Sequence, residues 1–529
     1  MSDTQQTFHK YVSVNDHDLL LAIREGLRPM QSISDDAHDG LPYFGNDMAG
    51  FETIGNTHDG FLSLSHVPGR WLDALLNAES LPGISIDEDV IQRLTRWAYA
   101  SVEDAGMGLP AQIDLETFQI RKVSQLHNLR EVMHAFTALY QYRSDQRACD
   151  LAKSVIMAVN RYYVDNGFVF DRDRLLAETG GSVTVTDPFP LTFGRYIGTL
   201  VKFYRVSQYE PALQQAIRLK DHCLQAVLLD DDTYDVEKLG KHTHSVTSML
   251  SSLALLGEEL NDLALLDRVS RFLDHGLRQC TLDFGWCLVG FLRDDLMGEI
   301  NNTADIMETC LILAKAGYPG YYARAEKILR SHLLPSQLLD THFVPVFTDE
   351  TDTNRYNLHE RARGAFGFPC PFGHEYEPGF RIMYNWDIVG GAVSGLCAAY
   401  RSAVSDGSDG LHINLLLDSD YPDVSVRFSY PDRRLKLTVK RNLPALFVRI
   451  PDHCQVLQVS PEKISWSIQD DQLLFTDIEA GQILTVDLLP EVFDRTYAFR
   501  NHQMQVRWEG ERIIAMESAG KRLCFFREM

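Results

Sequence analysis

Through most of the first 400 residues, apolar positions recur at three- and four-residue steps, the mark of helices with one buried face. Ten runs show it: Ile91–Val102, Leu126–Tyr142, Ala148–Tyr163, Phe193–Tyr204, Tyr209–Leu228, Val246–Leu256, Leu260–Leu277, Asp305–Ala316, Gly320–Leu333 and Asp387–Val404. Short Gly- or Asp-bearing links join them in consecutive pairs, which predicts stacked helical hairpins. No repeat of residue identity runs along them, so a closed ring is expected rather than an open solenoid. Residues 1–80 are rich in Asp, Gly and His, with punctuation such as Asn56-Thr57-His58-Asp59-Gly60. They are expected to form an irregular segment packed on the ring.

Near residue 410 the period changes. Ser405-Asp406-Gly407-Ser408-Asp409-Gly410 reads as a linker. Alternating runs follow at Val424–Tyr430, Leu435–Lys440, Leu446–Ile450, Gln455–Val459, Ile464–Ile468, Leu473–Thr476, Ile483–Leu489, Met504–Trp508, Arg512–Met516 and Leu523–Phe526. Turn residues separate them about every ten positions, which predicts an antiparallel β-sandwich. The chain is therefore expected to be mainly α with appended β: a helical ring over 81–405, then a sandwich over 411–529.

Composition narrows the function. With 73 acidic against 50 basic residues and a net charge of −23, the surface repels phosphate backbones, so no nucleic-acid partner is expected. No window of eighteen uninterrupted apolar residues occurs, so no membrane span is expected. Met1 to Lys10 is polar and reads as no secretory signal. The nine cysteines are an odd number, widely spread and without a Cys-x-x-Cys pair, which predicts reduced thiols and a cytoplasmic protein. Oligomeric state is left open, a homo-oligomer included.

The candidate chemistry sits at helix entries. Gly298-Glu299-Ile300-Asn301-Asn302-Thr303-Ala304-Asp305 packs two carboxylates and two amides ahead of an apolar helix. Thr303 or Asn302 is the expected N-cap, which leaves Glu299 on the loop before it. The competing reading is an acidic cap favoured by the helix dipole, which suits Asp305 better than Glu299. Asn385-Trp386-Asp387-Ile388-Val389-Gly390-Gly391 repeats the plan before the last long helix. Leu126-His127-Asn128-Leu129-Arg130-Glu131 sets His127 and Glu131 one turn apart, as ligand or internal salt link. Lys241-His242-Thr243-His244-Ser245 holds a His-x-His pair, but no third ligand motif accompanies it, so a polar cleft lining is expected and no metal. Arg361 and Arg363 offer guanidinium forks for a carboxylate, against a reading as solvated charge. His58, Asp59, Arg70 and Trp71 are further cleft candidates, and Arg195, Trp286 and Asn385 complete the sugar-contacting set.

In their order, these segments resemble the β-L-arabinofuranosidase-like superfamily of six-hairpin glycosidases. The resemblance adds Tyr322-Ala323-Arg324-Ala325-Glu326 to His332-Leu333-Leu334 and the sandwich run Ala445-Leu446-Phe447-Val448-Arg449-Ile450-Pro451. It implies an (α/α) six-hairpin toroid followed by a β-sandwich. Well-known members look like enzymes that hold zinc with a glutamate and cysteines and use a cysteine nucleophile. Counting back from Glu326 sets Glu299 opposite the zinc-binding glutamate and Asn301 opposite a cysteine. The Cys-Cys pair of those members falls opposite Trp386 and Asp387, so the resemblance implies a branch without zinc, cofactor or thiolate.

The expectation is a glycoside hydrolase that acts on an oligosaccharide. Glu299 is its general acid and Asp387 its base or nucleophile. His58, Asp59, His127, Asn128, Arg130, Arg195, His242, His244, Trp286, Asn301, Asn302, Arg361, Arg363 and Asn385 are expected to bind the sugar. The weight of Arg and His suggests a uronic acid. A uronate lyase on the same plan and a toroid that binds sugar without cleaving it are the rivals.

Overall fold

The computed structural model describes residues 18–164, 169–184, 188–375, 381–518 and 523–529. The polar first ten residues, on which the expectation of no leader rests, lie outside the described residues. Twelve helices make the ring: α1 (Leu19–Ser32), α2 (Val67–Glu79), α3 (Glu88–Glu103), α4 (Leu129–Arg143), α5 (Gln146–Tyr162), α6 (Tyr196–Ser207), α7 (Glu210–His222), α8 (Thr243–Leu260), α9 (Leu263–Asp274), α10 (Ile300–Lys315), α11 (Tyr321–Ile328) and α12 (Asp387–Ala403). The six helices α2, α4, α6, α8, α10 and α12 each pack on the next, and α12 returns onto α2, which closes the inner circle. Helices α3, α5, α7, α9 and α11 pack outside α2, α4, α6, α8 and α10 in turn, and α1 packs on α12. This is a six-hairpin toroid.

Burial explains the two layers. Inner helix α8 is buried without a break from Thr243 to Gly257, because neighbours enclose it on every side. Outer helix α9 buries only Leu265, Leu266, Val269, Phe272 and Leu273, a one-sided stripe.

The first eighty residues depart from expectation. They carry α1 and α2, the latter a member of the inner circle. Pro68 and Gly69 read as a break in sequence, yet proline is tolerated in a first helical turn where its missing N–H costs nothing. Glycine is required at 69: a Cβ there would lie 2.1 Å from the Glu131 carbonyl oxygen, so α2 and α4 touch backbone to backbone.

The C-terminal region holds two five-stranded sheets. One runs Val404–Asp406, Leu411–Ile413, Leu443–Arg449, Gln472–Ile478, Trp466–Gln469; the other runs Ser419–Asp420, Val424–Ser429, Arg434–Val439, Ile483–Pro490, Cys454–Ser460. All pairs are antiparallel except Leu411–Ile413 with Leu443–Arg449. The expected linker begins as strand, and Val492–Phe499 is a strand that the pattern missed; it pairs with His502–Glu509 and, through it, Arg512–Met516. Leu523–Phe526, expected as a strand, makes only a single bridge, Cys524 to Gly373. A buried ion network joins the two regions: Arg449 pairs with Glu326 of α11 and with Glu511 at 2.5 Å, while Arg330 binds Glu326 at 2.8 Å and the Leu416 carbonyl at 2.6 Å. Among the described residues no helix is long and apolar enough to cross a membrane.

Candidate active site

The inner helices present their N-terminal turns to one another at one end of the ring. The side chains gathered there are His66 and Arg70 (α2), Asn128, Arg130 and Glu131 (α4), Arg195 (α6), His242 and His244 (α8), Glu299, Asn301 and Asp305 (α10), and Asp387 (α12). Six positive helix ends meet at this mouth, which favours buried carboxylates.

Contacts run across it without a gap. The Asn301 amide Nδ2 donates to Glu299 Oε1 at 3.1 Å and to Asp387 Oδ2 at 3.4 Å, and Arg70 donates to Asn301 Oδ1 at 2.6 Å. His66 Nε2 lies 3.2 Å from Asp387 Oδ2, and its Nδ1 lies 3.1 Å from Asn128 Oδ1. Arg195 donates to Glu131 at 2.5 Å. His244 stands between Glu299 Oε1 at 3.4 Å and Asp305 Oδ2 at 3.3 Å, with Arg130 paired to Asp305 at 3.6 Å. Oδ1 of Asp387 is buried and has no partner among the described residues.

Glu299 is itself the N-cap residue, not a loop residue ahead of Asn302 or Thr303. It makes no capping bond with its side chain, because the surrounding backbone serves the helix entry: Ile300 N–H donates to the Gly367 carbonyl at 3.1 Å. Asn302 and Thr303 lie inside the first turn and tie α10 to Thr243, Leu288 and Gly285. The Glu299 carboxyl is thereby left to the mouth, where it is 5% exposed.

The two carboxyl groups are electrically unlike. Burial first, and the Asp387 charge second, push Glu299 up to about 8. Burial would raise Asp387 too, but the His66 hydrogen bond and the charges of His66 and Arg70 outweigh it and hold Asp387 below the ordinary aspartate range. Glu131, desolvated yet flanked by Arg195, His66 and Arg130, is held far below its ordinary value. Burial and the surrounding guanidinium groups keep His244 well below its own. A neutral His244 that donates from Nε2 to Asp305 turns a lone pair at Nδ1 toward Glu299, which suits a protonated carboxyl there.

Of the sequence candidates, the structure brings together Glu299, Asp387, His127, Asn128, Arg130, Arg195, His242, His244 and Asn301, with Asn302 buried behind them. His127 stacks on His66 at 5.0 Å and meets Arg195 at 3.0 Å, and of the two readings of its pair with Glu131 the internal salt link is made by Arg195 instead. Trp286, expected at the sugar, is fully buried; its Nε1 donates to the Pro369 carbonyl behind Gly298. Trp71 likewise is core, donating to the Trp386 carbonyl. Arg361 donates to the carbonyls of Ser32, Thr353 and Tyr356, and Arg363 pairs with Glu25 at 3.5 Å, so neither contacts the mouth. Asn385 ends a strand paired with Gly45. His58 contacts Asp35 and Ser63, and Asp59 caps the turn Leu62–His66 through its Oδ1. His66 escaped the sequence reading, although Asp59 and Pro68 around it are helix-entry signals.

A thiolate cage for a metal does not fit this mouth. None of the side chains gathered there is a cysteine, and the thiol of nearby Cys287 donates to the Leu288 carbonyl and is pushed well up by burial. His242, His244 and Glu299 bring donor atoms within 4.8 Å, so a cation could be held there only with Glu299 as an anion.

No family model and no curated protein matches the sequence. Solved structures do match in fold. A GH127 β-L-arabinofuranosidase from Geobacillus stearothermophilus T6 is 14% identical with a TM-score of 0.55, over 94% of this chain and 81% of that one. A second GH127 β-arabinofuranosidase is 14% identical with a TM-score of 0.58, over 95% and 81%. A further glycoside hydrolase is 13% identical at 0.55, over 91% and 85%. The toroid-plus-sheet architecture of the present chain is the fold of these glycosidases.

Proposed function

We propose that the protein is a glycoside hydrolase that removes a terminal sugar from an oligosaccharide, with Glu299 as general acid and Asp387 as nucleophile. The observation that carries this reading is the Asn301 amide, which donates to both carboxyl groups at once. It supports a pair close enough to grip one glycosidic bond, one member neutral and the other charged. Glu299 protonates the departing oxygen while Asp387 Oδ1, the oxygen without a partner, attacks the anomeric carbon. Glu299, now ionised, then takes a proton from the water that hydrolyses the glycosyl ester. Sharing one nitrogen favours the close spacing of retaining enzymes, about 5–5.5 Å, over the roughly 6.5–9.5 Å that leaves room for water in inverting ones.

Most cations of the mouth are already matched to carboxylates. Arg70 is the exception: it donates to the Asn301 amide oxygen and pairs with no carboxylate among the described residues, so a uronic acid would meet Arg70 first. The rival lyase reading parts from this one at the product. Incubation with matched aryl glycosides and uronides is expected to release a reducing sugar that first forms with its original anomeric configuration, seen by NMR. An unsaturated product absorbing in the ultraviolet, or normal turnover by both Glu299→Gln and Asp387→Asn, would overturn the assignment. Loss of roughly 10²-fold or more from either variant is expected.

A further inference from the structure

Away from the catalytic mouth, two separate segments bring metal-binding side chains together on the N-terminal part of the ring. We propose that Asp35, His38 and His58 form a site for one divalent transition-metal ion, with Asp35 Oδ2, His38 Nδ1 and His58 Nε2 as its ligands. One ligand atom from each of the three residues lies within 4.8 Å of the others. Both imidazole nitrogens converge on the same carboxylate oxygen, at 2.7 and 3.0 Å. Asp35 Oδ1 is separately fixed by the Ala37 N–H at 3.1 Å, so the carboxylate cannot turn away.

The imidazoles are held in place from behind. His58 Nδ1 faces Ser63 Oγ at 3.2 Å, an oxygen that already accepts from the Asp59 N–H at 3.1 Å and keeps a second lone pair. Such an outer partner is what orients a metal-bound histidine. Tyr43 stacks on His58 at 4.5 Å and Phe118 on His38 at 3.4 Å. Phe118, whose ring stacks on His38, takes φ 54°, a left-handed conformation costly for a bulky residue. Strain of this kind is retained where a fixed arrangement is needed. Binding moves one proton on each ring from the inner nitrogen to the outer one, toward Ser63 for His58 and toward solvent for the partly exposed His38.

Two nitrogens and one oxygen suit zinc, cobalt or nickel, with a fourth position open on the exposed side of His38; calcium and magnesium want oxygen donors throughout. The ion would pin the chain around residue 38 to the segment that runs from His58 to His66, and so to the neighbour of Asp387.

Cobalt titration of the full chain, stripped with chelator, tests this. One Co²⁺ per chain with the strong visible absorption of a tetrahedral ion is expected. His38→Ala, at a partly exposed position, is expected to weaken binding at least tenfold, and His38→Cys to keep it and add a sulfur-to-cobalt charge-transfer band. His244→Ala, which breaks the other donor group at the mouth, is expected to leave the spectrum intact. No visible absorption, an unchanged affinity in His38→Ala, or a spectrum lost in His244→Ala would overturn the proposal.

Discussion

Glu299 and Asp387 accept from the same amide, yet one holds its proton to about pH 8 and the other gives it up below the ordinary aspartate range. Their neighbours make the difference. Glu299 is desolvated beside another carboxylate, whereas Asp387 receives His66 and the field of Arg70. A pair of titrating groups pushed apart in this way divides into acid and nucleophile without further parts. The profile of kcat/KM against pH should therefore be a broad bell. Activity falls above about 8 as Glu299 loses its proton, and at the acid end only below the ordinary aspartate value, as Asp387 gains one. His66→Ala removes the leading contact that lowers Asp387, so its acid limb should move up in pH while the alkaline limb stays near 8. Both carboxylates were legible in the sequence because each stands at the entry of a strongly apolar helix. His66 was not, since its tie to Asp387 spans 321 positions of chain and leaves no local spacing to read.

Among the elements, the junction of α10 with α12 sets the site. Gly391, in the first turn of α12, lies so close that a Cβ would come within 2.0 Å of Asn301 Oδ1 and 2.5 Å of the Arg70 guanidinium. The bare Cα of Gly391 thus leaves the room that the bridging amide occupies. Gly391→Ala should displace Asn301, lower kcat by roughly tenfold or more, and also lower Tm through the overpacked contact, as activity and thermal melts on the same preparation would show. Outer helices announced themselves by one-sided apolar stripes. The inner helix α2 did not, because it is buried nearly all round and opens on Pro68 and Gly69, residues that in isolation signal a turn.

For the molecule as a whole, the toroid and the sheets are fastened by Arg449 between Glu326 and Glu511, all three buried. Removing the central guanidinium leaves Glu511 without a cation and Glu326 with Arg330 alone in a buried seam. Arg449→Met should lower the free energy of unfolding by about 3–5 kcal/mol in denaturant titration, with kcat per folded molecule preserved because the mouth is untouched. The order of the two regions could be read from the change of hydrophobic period near residue 410. Convergence of six helix entries on one mouth could not, because it depends on ring closure, which no stretch of sequence encodes alone.

The division of labour at the mouth is tested most directly by the dependence of Glu299→Gln on the leaving group. A sugar bearing a dinitrophenyl group leaves without protonation; one bearing an alkyl group needs an acid. Measured on both, kcat/KM of Glu299→Gln should stay near the parent value with the dinitrophenyl glycoside and fall roughly 10²-fold or more with the alkyl glycoside. Equal losses on the two substrates would contradict the assignment of Glu299 as the acid.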